Sequence, residues 1–126
     1  MPIGKEVASF SMKSTSMTKG VDSAGNHTFV INLEGTVTGG WSGTVLSTMT
    51  VTTPDMKSGT YSTCAAAYLA DGSVLTGNGN GVFHALGGHK WRLNSVDLIS
   101  DGTRLAAESE MSLADRSLNG KLFPIE

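Results

Sequence analysis

This chain is poor in cysteine and charge, and each shortage narrows what it can be. Its single thiol, Cys64, rules out an intramolecular disulfide and a four-cysteine zinc site. Charged residues make up only 16% of the sequence, and nine basic side chains against eleven acidic ones leave a net charge of -2. No basic stripe is present to neutralise a phosphate backbone, so no nucleic-acid partner is expected. Long apolar runs are missing too. The longest, Ala65 to Ala70 with Tyr68 inside it, is far too short to span a bilayer, so no membrane partner is expected. The first ten residues, MPIGKEVASF, lack the apolar segment of a signal peptide, and the expectation is a soluble, cytoplasmic protein. No 3.6-residue hydrophobic period of any length is present either, which leaves little room for helices.

What the chain does have is glycine, serine and threonine set around apolar residues at period two, the pattern of half-buried strands. Glu6 to Thr18 alternates loosely. His27 to Thr38 alternates cleanly, with Phe29, Ile31, Leu33, Gly35 and Val37 on one face. Trp41 to Thr53 follows with Trp41, Gly43, Val45, Met49 and Val51. After a loop around Pro54, with room for a short 3₁₀ turn or helix, Thr60 to Ala70 is apolar or small on both faces, which predicts cover on both sides. The stretch Gly77 to Trp91, GNGNGVFHALGGHKW, supplies a fifth strand, a Gly87-Gly88 corner and the start of a sixth running from Lys90 to Ser100. Thr103 to Leu113 and Leu118 to Ile125 complete the set. Asp22–Asn26, Asp71-Gly72, Asp101-Gly102 and Ala114–Ser117 read as turns.

About eight strands at hairpin spacing in one domain, residues 1–126, predict an all-β fold: a single antiparallel up-and-down barrel with a small apolar cavity. A Greek-key sandwich is the rival. Short connections favour the meander, and glycine within strands permits the coiling that closure needs.

The glycine-rich strand steps, the run Gly79-Asn80-Gly81-Val82-Phe83 leading to a Gly-Gly corner, and the closing Ser117-Leu118-Asn119-Gly120-Lys121-Leu122 together resemble the allene-oxide-cyclase-like barrels, over roughly Leu33 to Leu122. The resemblance implies an eight-stranded barrel with a mostly apolar cavity. It also implies action on a hydrophobic small molecule, as in cyclases, isomerases or dirigent proteins, and assembly as a homodimer or homotrimer. No catalytic residue of that group aligns with a position here.

Candidate chemistry has to come from the residues. Glu34, Glu108 and Glu110 oppose the apolar faces of their strands. That face is either a solvated outer wall or, if it lines the cavity, a place where a desolvated carboxylate acts as general base. Arg92 and Arg104 are the cations available to such a group. His84 and His89 flank the Gly87-Gly88 corner, and His84 is the better proton-shuttle candidate. A metal pair lacks a third ligand at recognisable spacing, and no metal or organic cofactor is expected. Tyr61 and Tyr68 fall on opposite faces of one strand. Cys64 reads as a small buried hydrophobe, and Asp97, alone in mid-strand, as the structural partner of an arginine. The glycine run lacks the Lys-Ser/Thr of a phosphate loop. The reading that results is a cyclase or isomerase working by conformational templating and acid-base assistance on a hydrophobic substrate. Glu108, His84 and Tyr68 would be its polar groups, with Arg92 orienting. The alternative is a non-catalytic carrier or scaffold.

Overall fold

A computed structural model describes residues 3–126. Eight strands occur in chain order: β1 Ala8–Val21, β2 His27–Gly39, β3 Gly43–Thr53, β4 Ser58–Leu69, β5 Val74–Gly87, β6 Lys90–Ile99, β7 Arg104–Ser112 and β8 Ser117–Pro124. Each pairs antiparallel with the next, and β1 pairs with β8 from Ala8↔Leu122 to Lys13↔Ser117, so the sheet is a closed barrel. The meander is therefore correct and the sandwich is not. Among the described residues there is no helix, including around Pro54 to Ser58, where the chain only bends. No helix is long and apolar enough to cross a membrane.

The turns repeat one device. In Leu69–Ser73 the Leu69 amide donates to the Ser73 carbonyl at 2.9 Å and the Gly72 amide to the Leu69 carbonyl at 3.0 Å, with Gly72 at φ 93°. Ile99–Thr103 and Asp22–Asn26 are built alike, around Gly102 and Gly25. These are three-residue hairpin loops whose last position is left-handed, which suits glycine. Asp71 and Asp101 tighten their loops by accepting the amides of Ser73 and Thr103, both at 2.9 Å. The β7–β8 turn is one residue longer, Leu113–Arg116: the Arg116 amide donates to the Leu113 carbonyl at 3.3 Å, the Leu113 amide donates to the His89 carbonyl at 3.1 Å, and Arg116 occupies the left-handed position at φ 59°.

The alternation sets the inside. Met12, Ile31, Leu33, Met49, Val51, Tyr61, Phe83, Leu93 and Leu118 form one buried cluster across seven of the eight strands. β1 is longer than β8. Past the bulge at Ser14–Ser16 it pairs with β2 alone, so the distal β1–β2 hairpin overhangs one end of the barrel. The core cluster fills the waist, and a cavity lies towards each end.

Candidate active site

The first cavity, of about 160 Å³, lies towards the end that carries the β4–β5 and β6–β7 turns. Phe10, Val37, Trp41, Val45, Leu105 and Ala107 make its walls apolar. Ser47, Thr63, Ser95 and Ser109 add hydroxyls, and Asp97 is the one ionisable carboxylate in the lining. No lysine, arginine or histidine lines it.

The carboxylate gets there by simple arithmetic along β6. Leu93 and Ser95 are buried, and period two carries Asp97 and Ile99 onto the same inner face. Across the ladder, Asp97 stands beside Gly79 of β5, and Ser95 beside Gly81. On the other side of β5, Gly79 pairs with Thr63 and Gly81 with Tyr61. The inner face of β5 thus presents glycine at successive positions, and the larger groups of β4 and β6 lie over it. A methyl group added to Gly79 would sit 1.6 Å from Asp97 Oδ1, and one added to Gly81 would sit 2.5 Å from Tyr61 Cζ. The glycine row is the hollow that holds the polar cluster.

Ser95 Oγ donates to Asp97 at 3.2 Å (Oδ1) and 3.4 Å (Oδ2). Burial among apolar walls pushes the Asp97 carboxyl up to about 6, against the smaller opposite pull of the Ser95 hydroxyl. Tyr61 shares the cluster. Burial pushes its phenol up to about 12, with Ser95 pulling the other way and the Asp97 charge adding to the rise. Near neutrality the chamber therefore presents a mostly ionised carboxylate that is more basic than usual, a phenol that stays protonated and a serine between them. This set can accept a proton, donate a hydrogen bond and orient a small polar group.

The residues singled out in the sequence lie elsewhere. Glu108 and Arg92 form an ion pair on the outer wall, Nη1 to Oε1 2.7 Å, with Glu110 4.0 Å from the same guanidinium. Both Glu108 and Glu110 follow from the inward facing of Leu105, Ala107, Ser109 and Met111, which sends the alternate residues out. Glu34 is exposed for the same reason on β2. His84 is exposed on the outer face of β5, its strand partners being Ser58 and Arg92. His89 is an exposed corner residue at φ 58°. Tyr68 points outward and is 51% exposed, beside Val74. None of the four residues of the sequence-based site lines either cavity.

Three smaller expectations are corrected with them. The outer face of β4 is not covered within one chain, since Cys64 and Tyr68 are exposed. Cys64 is accordingly no core residue. Asp97 has no arginine partner; its neighbour is Ser95. Among the described residues no group of three His, Cys, Asp or Glu side chains is placed to hold a metal ion.

No protein-family model and no curated protein matches this chain. Its architecture is nevertheless that of solved proteins. A protein of unknown function from Clostridium acetobutylicum ATCC 824 superposes with a TM-score of 0.81 at 17% identity, covering 100% of both chains. A conserved protein of unknown function from Rhodopseudomonas palustris superposes with a TM-score of 0.82 at 10% identity, covering 100% of this chain and 99% of that one. At these identities the likeness is one of fold, and fold alone does not assign function.

Proposed function

We propose that the barrel binds a small, largely apolar molecule carrying one polar group in the chamber around Asp97, and isomerises or cyclises it by acid-base catalysis. Asp97 is the base, and Tyr61 the hydrogen-bond donor to an oxygen that gains negative charge as the proton leaves. One observation carries the reading: a lone carboxylate in a mostly apolar cavity, raised to about 6 and bonded only to Ser95. A base with its midpoint near the working pH combines availability with driving force. The volume of about 160 Å³ suits a six-membered ring with a small substituent. This keeps the apolar cavity and hydrophobic substrate implied by the likeness to allene-oxide-cyclase-like barrels, while assigning the chemistry to different residues.

The test uses a ketone of the right size. Cyclohex-2-enone in deuterated buffer exchanges its acidic C–H protons slowly on its own, and proton NMR follows the loss. The wild-type protein is expected to accelerate exchange, and Asp97→Asn to lower that rate at least about a hundredfold, within the usual range for a lost general base. Tyr61→Phe is expected to lower it about tenfold or more. Equal rates with wild-type and Asp97→Asn protein would dismiss the catalytic role. Protein resonances that still shift on adding the ketone would then favour the carrier reading.

A further inference from the structure

The opposite end of the barrel holds a second cavity of about 160 Å³, for which acid-base chemistry has no use. Its walls come from Met17, Phe29, Met56, Phe83, Trp91 and Met111. With Met49, four of the chain's six methionines line it. No carboxylate, lysine or histidine does so, and the Arg116 guanidinium, at the exposed rim, already donates to the Leu113 carbonyl.

Apart from the small hydroxyls of Ser14 and Ser112, the polar side chains in the wall bond locally. Thr53 donates its hydroxyl to the Ser58 carbonyl at 2.6 Å and accepts the Met56 amide at 3.0 Å. Trp91 Nε1 donates to the Met56 carbonyl at 3.2 Å. These three bonds fix the β3–β4 loop over the cavity with Met56 in the left-handed region at φ 65°, an uncommon conformation for a residue with a side chain. Met17, Met56 and Leu113 remain 43%, 41% and 38% exposed around the mouth, beside the stretch of β1 that has no β8 partner. Apolar cavities of this size take apolar molecules, and flexible thioethers reshape around rings.

We infer that this methionine-lined chamber is a second binding site, for an uncharged aromatic or short-chain apolar molecule, filled independently of the Asp97 chamber. The molecule is held by ring and thioether contacts with Phe29, Phe83, Trp91 and Met111, with no hydrogen bond required. The two tryptophans separate the sites, since Trp41 lines one chamber and Trp91 the other.

Iodobenzene, whose iodine quenches indole fluorescence, is the probe. In Trp41→Phe protein, where Trp91 alone emits, quenching is expected to saturate, as binding at a defined site requires. Filling the chamber with Ser14→Leu, at the β1 bulge in its wall, in the same background is expected to weaken the half-saturation point about tenfold. Crystals of the unaltered protein soaked in iodobenzene are expected to show anomalous iodine density against Trp91, which keeps the test decisive if a variant fails to fold. Linear, unsaturable quenching of Trp91, or iodine confined to the Asp97 chamber, would overturn the inference. Either outcome leaves the ketone-exchange result untouched.

Discussion

Replacing Asp97 by Asn tests the burial argument without any ligand. The carboxyl sits at about 6 in the folded protein against an ordinary value of 3.8. Between those values the folded state holds a proton that the unfolded state has released, so stability falls as pH rises through this window. Above it the loss is complete, at about 3 kcal/mol from 1.36 kcal/mol per pH unit. Asn keeps the shape and an acceptor for Ser95 Oγ but carries no charge. Asp97→Asn protein is therefore expected to match wild type near pH 4 and to exceed it by about 3 kcal/mol at pH 8. For a chain of this length that is about 10 °C in Tm. Guanidinium unfolding followed by tryptophan fluorescence across pH 4 to 8 measures the difference. Asp22, Asp55, Asp71, Asp101 and Asp115 contribute in the opposite sense. Each carboxyl is held below its ordinary value chiefly by hydrogen bonds within its own turn, so each stabilises above its unfolded value and loses that contribution in acid. All five are common to both proteins and cancel in the comparison. A difference that stays constant from pH 4 to 8, or a wild type more stable at pH 8, would refute the claim that Asp97 pays for burial.

Other outcomes follow from the same geometry. Gly79→Ala drives a methyl into Asp97 Oδ1 and within 3.0 Å of Thr63 Oγ1, and is expected to cost about 1–3 kcal/mol in urea unfolding. Much of that cost should return in the double variant with Asp97→Ala. Gly72→Ala has open space around the new methyl, so its expected loss of about 1 kcal/mol reports the left-handed backbone alone. Glu108→Gln, on the solvent-exposed pair with Arg92, is expected to change stability by less than about 1 kcal/mol and to leave ketone exchange at the wild-type rate.

The barrel was legible because its information is local. Each turn carries its own residues, and period two survives in every strand, so eight elements and their order can be read from spacing. Strand faces were legible only where one face is apolar and the other is not. On β2 that contrast sets Glu34 on the face opposite the apolar one, and the structure shows the Glu34 face to be the outer wall. β4 offers small or apolar residues on both faces, and nothing in the pattern tells Tyr61 from Tyr68. β6 is harder still: Leu93 and Ile99 share a face with Asp97, while Val96 and Leu98 share the opposite one with Arg92. Histidines and glutamates are conspicuous as residue types, but type alone does not report which strand face a residue takes. Conspicuous charge on a strand usually marks the outer wall, and that is where Glu108, Arg92 and His84 stand.

The signal for the inner site was present in a different form. Gly77, Gly79 and Gly81 recur at period two between Leu75 and Phe83, which line one cavity each. As bends of a closing sheet these glycines explain curvature. Curvature alone does not require three in a row on one face. An inner face stripped of side chains over three positions leaves space that neighbouring strands must fill, and a barrel that needed only packing would fill it with methyl groups. Here an Ile99 methyl covers Gly77, while the Asp97 carboxylate lies over Gly79 and the Tyr61 ring over Gly81. Both replacements, by alanine or valine on β5 and by leucine on β6, would bury more apolar surface and leave no charge to desolvate. A carboxylate kept at such a cost in a hollow cleared for it is what a site selected for chemistry would show, and this is the ground on which Asp97 is proposed as the base.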